Sequence, residues 1–171
     1  KDSIIKLYRR GIISGDGSTK FLPFGMVTRE EFIKLIVGAF KIACDTNECT
    51  FLDAENGKWY IPYLASAQKN KITVGKPDGS FGVGESITRQ DMAVMIYNAV
   101  RNFDAPLPKG YENTEFTDFD KISDYAKDAV SALRKAEIVA GTGGAFNPGE
   151  YASRAEAAVI VNNLFDKGVA K

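Results

Sequence analysis

The stretch from Gly11 to Phe32, GIISGDGSTKFLPFGMVTREEF, recurs twice more along the chain. It returns as KITVGKPDGSFGVGESITRQDM from Lys71 to Met92 and as EIVAGTGGAFNPGEYASRAEA from Glu137 to Ala157. Gly15, Gly75 and Gly141 are followed by Phe21, Phe81 and Phe146 after six, six and five residues. Each phenylalanine precedes an arginine by eight residues, and Arg29, Arg89 and Arg154 lie 60 and then 65 residues apart. A register kept at several points over three copies marks a repeat array, whose units bury their apolar faces against one another.

A second shared element lies upstream. Phe51-Leu52-Asp53 leads to Trp59, and Phe116-Thr117-Asp118 leads to Tyr125, each aromatic 16 residues before its glycine. Counting back 16 from Gly15 falls before Lys1, so the first unit lacks these positions in this chain. The units read as residues 1–43, 51–103 and 116–171, with linkers at 44–50 and 104–115 where Asp, Asn, Pro and Gly collect.

Each unit reads as helix, glycine-containing loop, helix. The first helix shows apolar residues at helical spacing: Ile61, Leu64, Ala65, Ala67 in one copy and Ala126, Ala129, Val130, Leu133 in another. Pro62 suits a first helical turn, where a missing N–H costs nothing. The glycines at 15, 75 and 141 read as left-handed residues just past the helix end. The second helix follows the arginine, with stripes such as Ile33, Ile36, Val37 and Phe40. No segment alternates long enough for a strand, so the expected fold is all-α, with three helix-loop-helix units around a pseudo-threefold axis.

Composition narrows the chemistry. Twenty-two basic residues balance twenty-two acidic ones, which leaves no broad field to hold nucleic acid or an anionic membrane. Histidine is absent, so His-centred catalysis and most zinc sites are excluded. No apolar run is long enough to span a membrane. Two cysteines, Cys44 and Cys49, bracket a polar turn and read either as a small disulfide loop or as a reduced pair. Asp16 and Asp78 lie in glycine-containing loops that lack the ligand spacing of a calcium loop. Lys1 in place of a starting methionine reads as a processed or excised piece. No glycine-rich phosphate loop or nucleophile elbow occurs, and neither a cofactor nor a metal is implied.

The motif opening each second helix contains a residue that helix chemistry alone does not explain. Thr28-Arg29-Glu30-Glu31, Thr88-Arg89-Gln90-Asp91 and Ser153-Arg154-Ala155-Glu156 carry a hydroxyl and an acid in capping-box register. The arginine faces the positive end of the helix dipole, at a cost of about 0.3–1 kcal/mol. Three such arginines require an anionic ligand or a carboxylate from another repeat. Asp53 and Asp118 read as caps, as arginine partners or as acceptors for sugar hydroxyls. Trp59 and Tyr125 read as core residues or as faces for a sugar ring. Gly15, Gly75 and Gly141 also read as loops whose open amides would cradle a small anion.

Taken together, the Phe-x-Asp start, the aromatic opening a helix, Gly11-Ile12-Ile13-Ser14-Gly15, Phe146-Asn147-Pro148 and Thr28-Arg29-Glu30-Glu31 resemble S-layer homology domains. The resemblance covers almost the whole chain. It implies a non-catalytic extracellular module at the bacterial cell wall or surface layer. That module binds secondary cell-wall polysaccharide through a pyruvylated amino-sugar, in grooves between repeats, and permits self-association within a surface layer. It also implies that Arg29, Arg89 and Arg154 meet the ligand, a planar guanidinium suiting a ketal carboxylate. Lys71 and Glu137 depart from the first glycine of Gly-Ile-x-x-Gly, Val83 and Gly84 from the loop proline region, and Tyr125 from tryptophan.

If grooves form between successive repeats, Arg29 shares one with Asp53 and Trp59, and Arg89 shares one with Asp118 and Tyr125. Arg154 is then left without partners, and affinity falls in the order Arg29, Arg89, Arg154. On that reading Arg89→Ala weakens binding more than stability. A protein–protein docking module using the same grooves is the alternative, and a small glycan hydrolase is a third possibility that no distinguished acid pair supports.

Overall fold

A computed structural model describes residues 2–14, 20–110 and 115–170. Among them run six α-helices: α1 (Asp2–Arg9), α2 (Arg29–Ala39), α3 (Ile61–Lys69), α4 (Arg89–Asn102), α5 (Asp124–Lys135) and α6 (Arg154–Asp166). Among the described residues the only other regular element is a 3-10 turn at Phe119–Lys121. The fold is all-α, as the periodicity predicts, and isolated bridges replace any sheet.

The helices begin where the cap chemistry places them. Thr28 and Ser153 form full capping boxes with Glu31 and Glu156. Thr88 accepts the Asp91 amide, but the shorter Asp91 side chain does not return to the cap. Pro62 occupies the first turn of α3. The helix ends differ from expectation. The left-handed residue after α3 is Lys71, at φ 53°, with the Ile72 amide reaching Ala67 O at 2.9 Å. After α5 it is Glu137, at φ 56°. The helix-ending position is thus that of Gly11, which the other repeats fill with Lys71 and Glu137, and the glycines at 75 and 141 lie four residues farther on.

Helices pack across repeat boundaries. The first helix of each repeat lies on the second helix of the preceding one: α3 on α2, α5 on α4, and α1 on α6 to close the circle. At the centre three short segments form a ring of backbone hydrogen bonds. Val27 N–H donates to Ala152 O at 3.0 Å, Ala152 N–H to Ile87 O at 3.0 Å, and Ile87 N–H to Val27 O at 3.1 Å. All three side chains are buried. The ring makes the threefold relation physical, because each repeat donates to one neighbour and accepts from the other.

The repeated phenylalanines form the floor of the core. Phe81 and Phe146 are fully buried, with Phe51 and Phe116 against them at 5.4 and 5.1 Å between ring centres. The segment holding Cys44 and Cys49 makes no turn, contrary to expectation. It runs along α3 without regular structure, tied by Ser66 Oγ to Ala43 O at 2.6 Å and by Thr50 N–H to Gln68 Oε1 at 3.0 Å. Both thiols are free.

Candidate functional site

The three motif arginines occupy equivalent places, each reaching into the next repeat. Arg29 donates Nε to Phe81 O at 2.8 Å and Nη1 to Asp91 at 2.7 Å. Arg89 donates Nε to Phe146 O and Nη1 to Glu156, both at 2.7 Å, and Nη2 to Ala140 O at 3.1 Å. Arg154 donates Nε to Phe21 O at 3.0 Å and Nη1 to Glu31 at 2.8 Å. Each guanidinium also lies 5.1–5.3 Å from the ring centre of that same phenylalanine. An inter-repeat carboxylate therefore answers the dipole cost noted above.

The capping acids do two jobs at once. Glu31 accepts the Thr28 amide at Oε2 and Arg154 Nη1 at Oε1, and Glu156 accepts the Ser153 amide at Oε2 and Arg89 Nη1 at Oε1. The first helical amides are taken as well: Arg29 N–H by Glu85 O, Arg89 N–H by Glu150 O and Arg154 N–H by Gly25 O, at 2.8–2.9 Å. The helix starts are closed by neighbouring backbone.

Asp53 and Asp118 clamp the loops that carry those phenylalanines. Asp53 accepts the amides of Phe81, Gly82 and Val83 at 2.7–2.8 Å, and Asp118 accepts those of Phe146 and Asn147 at 2.7 and 2.8 Å. Burial pushes both carboxyls up, and the backbone amides outweigh it, so each ends below its ordinary value. Both sit one hydrogen bond behind the carbonyl that receives an arginine. Their geometry is that of loop supports rather than helix caps, and Asp118 makes no side-chain cap bond to the 3-10 turn that follows it.

Gly75 and Gly141 are required by close packing. A Cβ at Gly75 would stand 2.6 Å from both the Phe51 ring and Ser80 O, and its φ is +76°. One at Gly141 would stand 2.1 Å from Ala145 O and 2.8 Å from the Phe116 ring. The Gly75 amide, considered above as part of an anion cradle, is held by Thr73 Oγ1 at 3.2 Å. Gly15 lies outside the described residues.

The grooves combine repeats differently from the expected pairing. Trp59 belongs to the groove of Arg154, where both line one pocket with Glu31, Lys34, Phe21 and Leu35. Its volume is about 190 Å³. Tyr125 belongs to the groove of Arg29, its hydroxyl donating to Asp91 Oδ1 at 2.6 Å beside the Arg29 contact. Burial and then the bond to Asp91 push this phenol up. The third groove holds Arg89 and Glu156. The reason is cyclic packing: the aromatic of one repeat lies over the second helix of the previous repeat, while the arginine arrives from the repeat before that. The grooves of Arg154 and Arg29 each draw on all three repeats, so pairing neighbours along the chain mismatches them.

Exposure separates the sites further. Trp59 and Tyr125 are 51% and 61% exposed, so neither is a core residue. The side chains of Arg29 and Arg89 are 8% exposed and that of Arg154 is 21% exposed. The Arg154 groove is the one where an open guanidinium, an acid, a lysine and an indole meet.

Two features escape the sequence reading. The second role of the capping acids has no local signal, since a capping box looks the same with or without an arginine partner. Lys34 lies half-buried in α2, with Nζ 5.6 Å from the Trp59 ring centre and 5.8 Å from that of Tyr63. Its counterparts five residues after the other arginines are Val94 and Val159. That asymmetry was legible, but nothing in the sequence says that the position faces a groove. Among the described residues there is no group of three metal-ligating side chains, and no helix is long and apolar enough to cross a membrane.

Comparison with known proteins adds to this geometry. The chain matches the family described as S-layer homology domain over residues 1–33, 50–93 and 115–158. It is 34% identical over 98% of its length to an exoglucanase XynX of Acetivibrio thermocellus, and 30% identical over 94% to an endoglucanase of Bacillus sp. (strain KSM-635). It is 27% identical over 94% of its length to the S-layer protein sap of Bacillus anthracis. The chain spans only 15%, 17% and 19% of these relatives.

Proposed function

The chain belongs to the S-layer homology family, and from that premise we propose that it holds a surface-layer protein or an exoenzyme on a bacterial cell wall by binding secondary cell-wall polysaccharide through a pyruvylated amino-sugar. Modules of this family anchor S-layer proteins and exoenzymes to the wall, and their place is the cell surface. Relatives named as enzymes and relatives named as S-layer proteins match the same stretch. What they share through it is attachment, so the chain's role is non-catalytic.

One observation carries the reading: the open pocket where Arg154, Lys34 and the exposed indole of Trp59 converge. A flat aromatic face beside a hydrogen-bond donor suits a sugar ring, and cationic groups suit a ketal carboxylate. Arg154 has Nε and Nη1 committed to Phe21 O and Glu31, and among the described residues Nη2 has no partner, which leaves a donor for a ligand. In the Arg29 groove Tyr125 takes the place of the indole and closes onto Asp91. The proposed order of affinity therefore places the Arg154 groove first. Asp53, Asp118, Gly75 and Gly141 act behind the ligand, as supports.

Trp59 is the single tryptophan, so its emission reports this groove directly. Purified wall polymer is expected to shift Trp59 fluorescence and to bind with about one strong site per chain. The same polymer with its pyruvyl groups removed should bind at least tenfold more weakly. Equal binding of both forms would overturn the pyruvylated ligand. Absence of binding to either form, with capture by a surface-layer protein instead, would favour a protein-docking module.

A further inference from the structure

The pocket contains two cations and one anion, and their pairing is unequal. Arg154 is neutralised by Glu31 at 2.8 Å. Lys34 has no carboxylate partner among the described residues, and its Nζ lies over the rings of Trp59 and Tyr63, 5.6 and 5.8 Å from their centres. Lys34 lies half-buried beside two aromatic rings with no counter-ion among the described residues, so the described lining of the pocket holds one more cation than anion. We propose that Lys34 is the residue that reads the anionic substituent of the wall polymer, while the arginines of the Thr/Ser-Arg-x-acid motif act as locks between repeats. This rests on the polysaccharide reading and assigns the charge recognition within it.

Three observations converge on Lys34. The arginines are already engaged: each spends Nε on a phenylalanine carbonyl and Nη1 on an acid of the next repeat. Taking an anion through the Arg154–Glu31 pair adds charge to a pair whose sum is zero, whereas at Lys34 it neutralises a lone cation. The ammonium also lies beside the indole, so one ligand ring stacked on Trp59 would bring an acidic substituent within its reach. Finally, Lys34 is replaced by Val94 and Val159 in the other two repeats. Charge recognition is thereby confined to a single groove of a pseudo-symmetric molecule, and the chain binds one anionic sugar rather than three. Arg154 then contributes a hydrogen-bond donor through Nη2, and Trp59 contributes the ring face.

The test uses the whole chain and two probes: wall polymer carrying ketal-linked pyruvate, and the same polymer after mild acid has removed it. Lys34→Gln, Lys34→Arg and Arg154→Gln are compared with the parent by titration calorimetry, and thermal unfolding is followed in parallel. Lys34→Gln is expected to keep the parental Tm and to lose about tenfold in affinity for the pyruvylated polymer, the order a charge-assisted hydrogen bond supplies. It should bind the depyruvylated polymer as the parent does. Lys34→Arg should recover most of the loss. Arg154→Gln should lower Tm. Parental affinity in Lys34→Gln overturns the assignment and leaves the polysaccharide reading standing. An equal loss on both polymers also overturns it, because the lysine would then act only by orienting Trp59. If the parent binds neither polymer, the polysaccharide reading itself fails and the assignment falls with it.

Discussion

Replacing Arg89 by alanine tests whether the motif arginines hold the repeats together. The side chain is 8% exposed and makes hydrogen bonds to Phe146 O, Ala140 O and Glu156, over the Phe146 ring at 5.3 Å from its centre. A charged donor bonded to a buried carbonyl is worth about 1.5–3 kcal/mol. Phe146 O loses such a donor, and the part-buried Ala140 O loses a weaker one. The Glu156 contact adds less, since that carboxylate is half exposed and is screened by water. Relief of the unfavourable helix dipole returns about 0.3–1 kcal/mol. The net expectation is a loss of roughly 2–4 kcal/mol. For a chain of this size that lowers Tm by roughly 10 °C. Chemical denaturation with an unchanged m-value would measure it, and a double-mutant cycle with Glu156→Gln should give a coupling of about 1 kcal/mol. Arg89→Lys should recover less than half, because an ammonium cannot reproduce the planar fork. A stability change under about 1 kcal/mol, accompanied by lost polymer binding, would refute the locking role and restore the ligand-binding one expected from sequence.

Gly75→Ala should cost at least about 3 kcal/mol in denaturant unfolding, because the new methyl meets a buried ring and a backbone carbonyl at 2.6 Å in a left-handed residue; a loss under 1 kcal/mol would show that the loop moves freely. Asp53 and Asp118 have carboxyls held below their ordinary values, so their stabilisation is complete above the unfolded-state pKa of about 3.9 and is lost as pH falls through the lower folded value. The parent's denaturation midpoint should therefore drop below about pH 4, and Asp118→Asn should reduce that pH dependence while lowering stability by about 2 kcal/mol at pH 7 through the weakened amide clamp. An unchanged acid limb in Asp118→Asn would mean that the clamp does not form.

Much of the fold was legible because its causes are local. Capping boxes, a proline in a first turn and apolar residues at helical spacing act within a few residues, so Thr28, Pro62 and the Leu64–Ala67 stripe announce their helices without reference to the rest of the chain. The repeat register announced three equivalent units, and the three arginines stood out because each opposes its own helix dipole. What answers each arginine was beyond the sequence, because an anionic ligand and a carboxylate 62, 67 or 123 residues away satisfy the same charge. The position of the left-handed residue at the helix ends was also misplaced, since Lys71 and Glu137 hide a conformation that glycine would have advertised. Tertiary structure alone decided the grooves. Closing three units into a ring places Trp59 beside Arg154, 95 residues along the chain, and turns Lys34 from one helical lysine among several into a pocket-lining charge with no carboxylate partner among the described residues. Cap and helix energies depend on neighbours in sequence, whereas a site made where three repeats meet depends on the direction in which the ring closes.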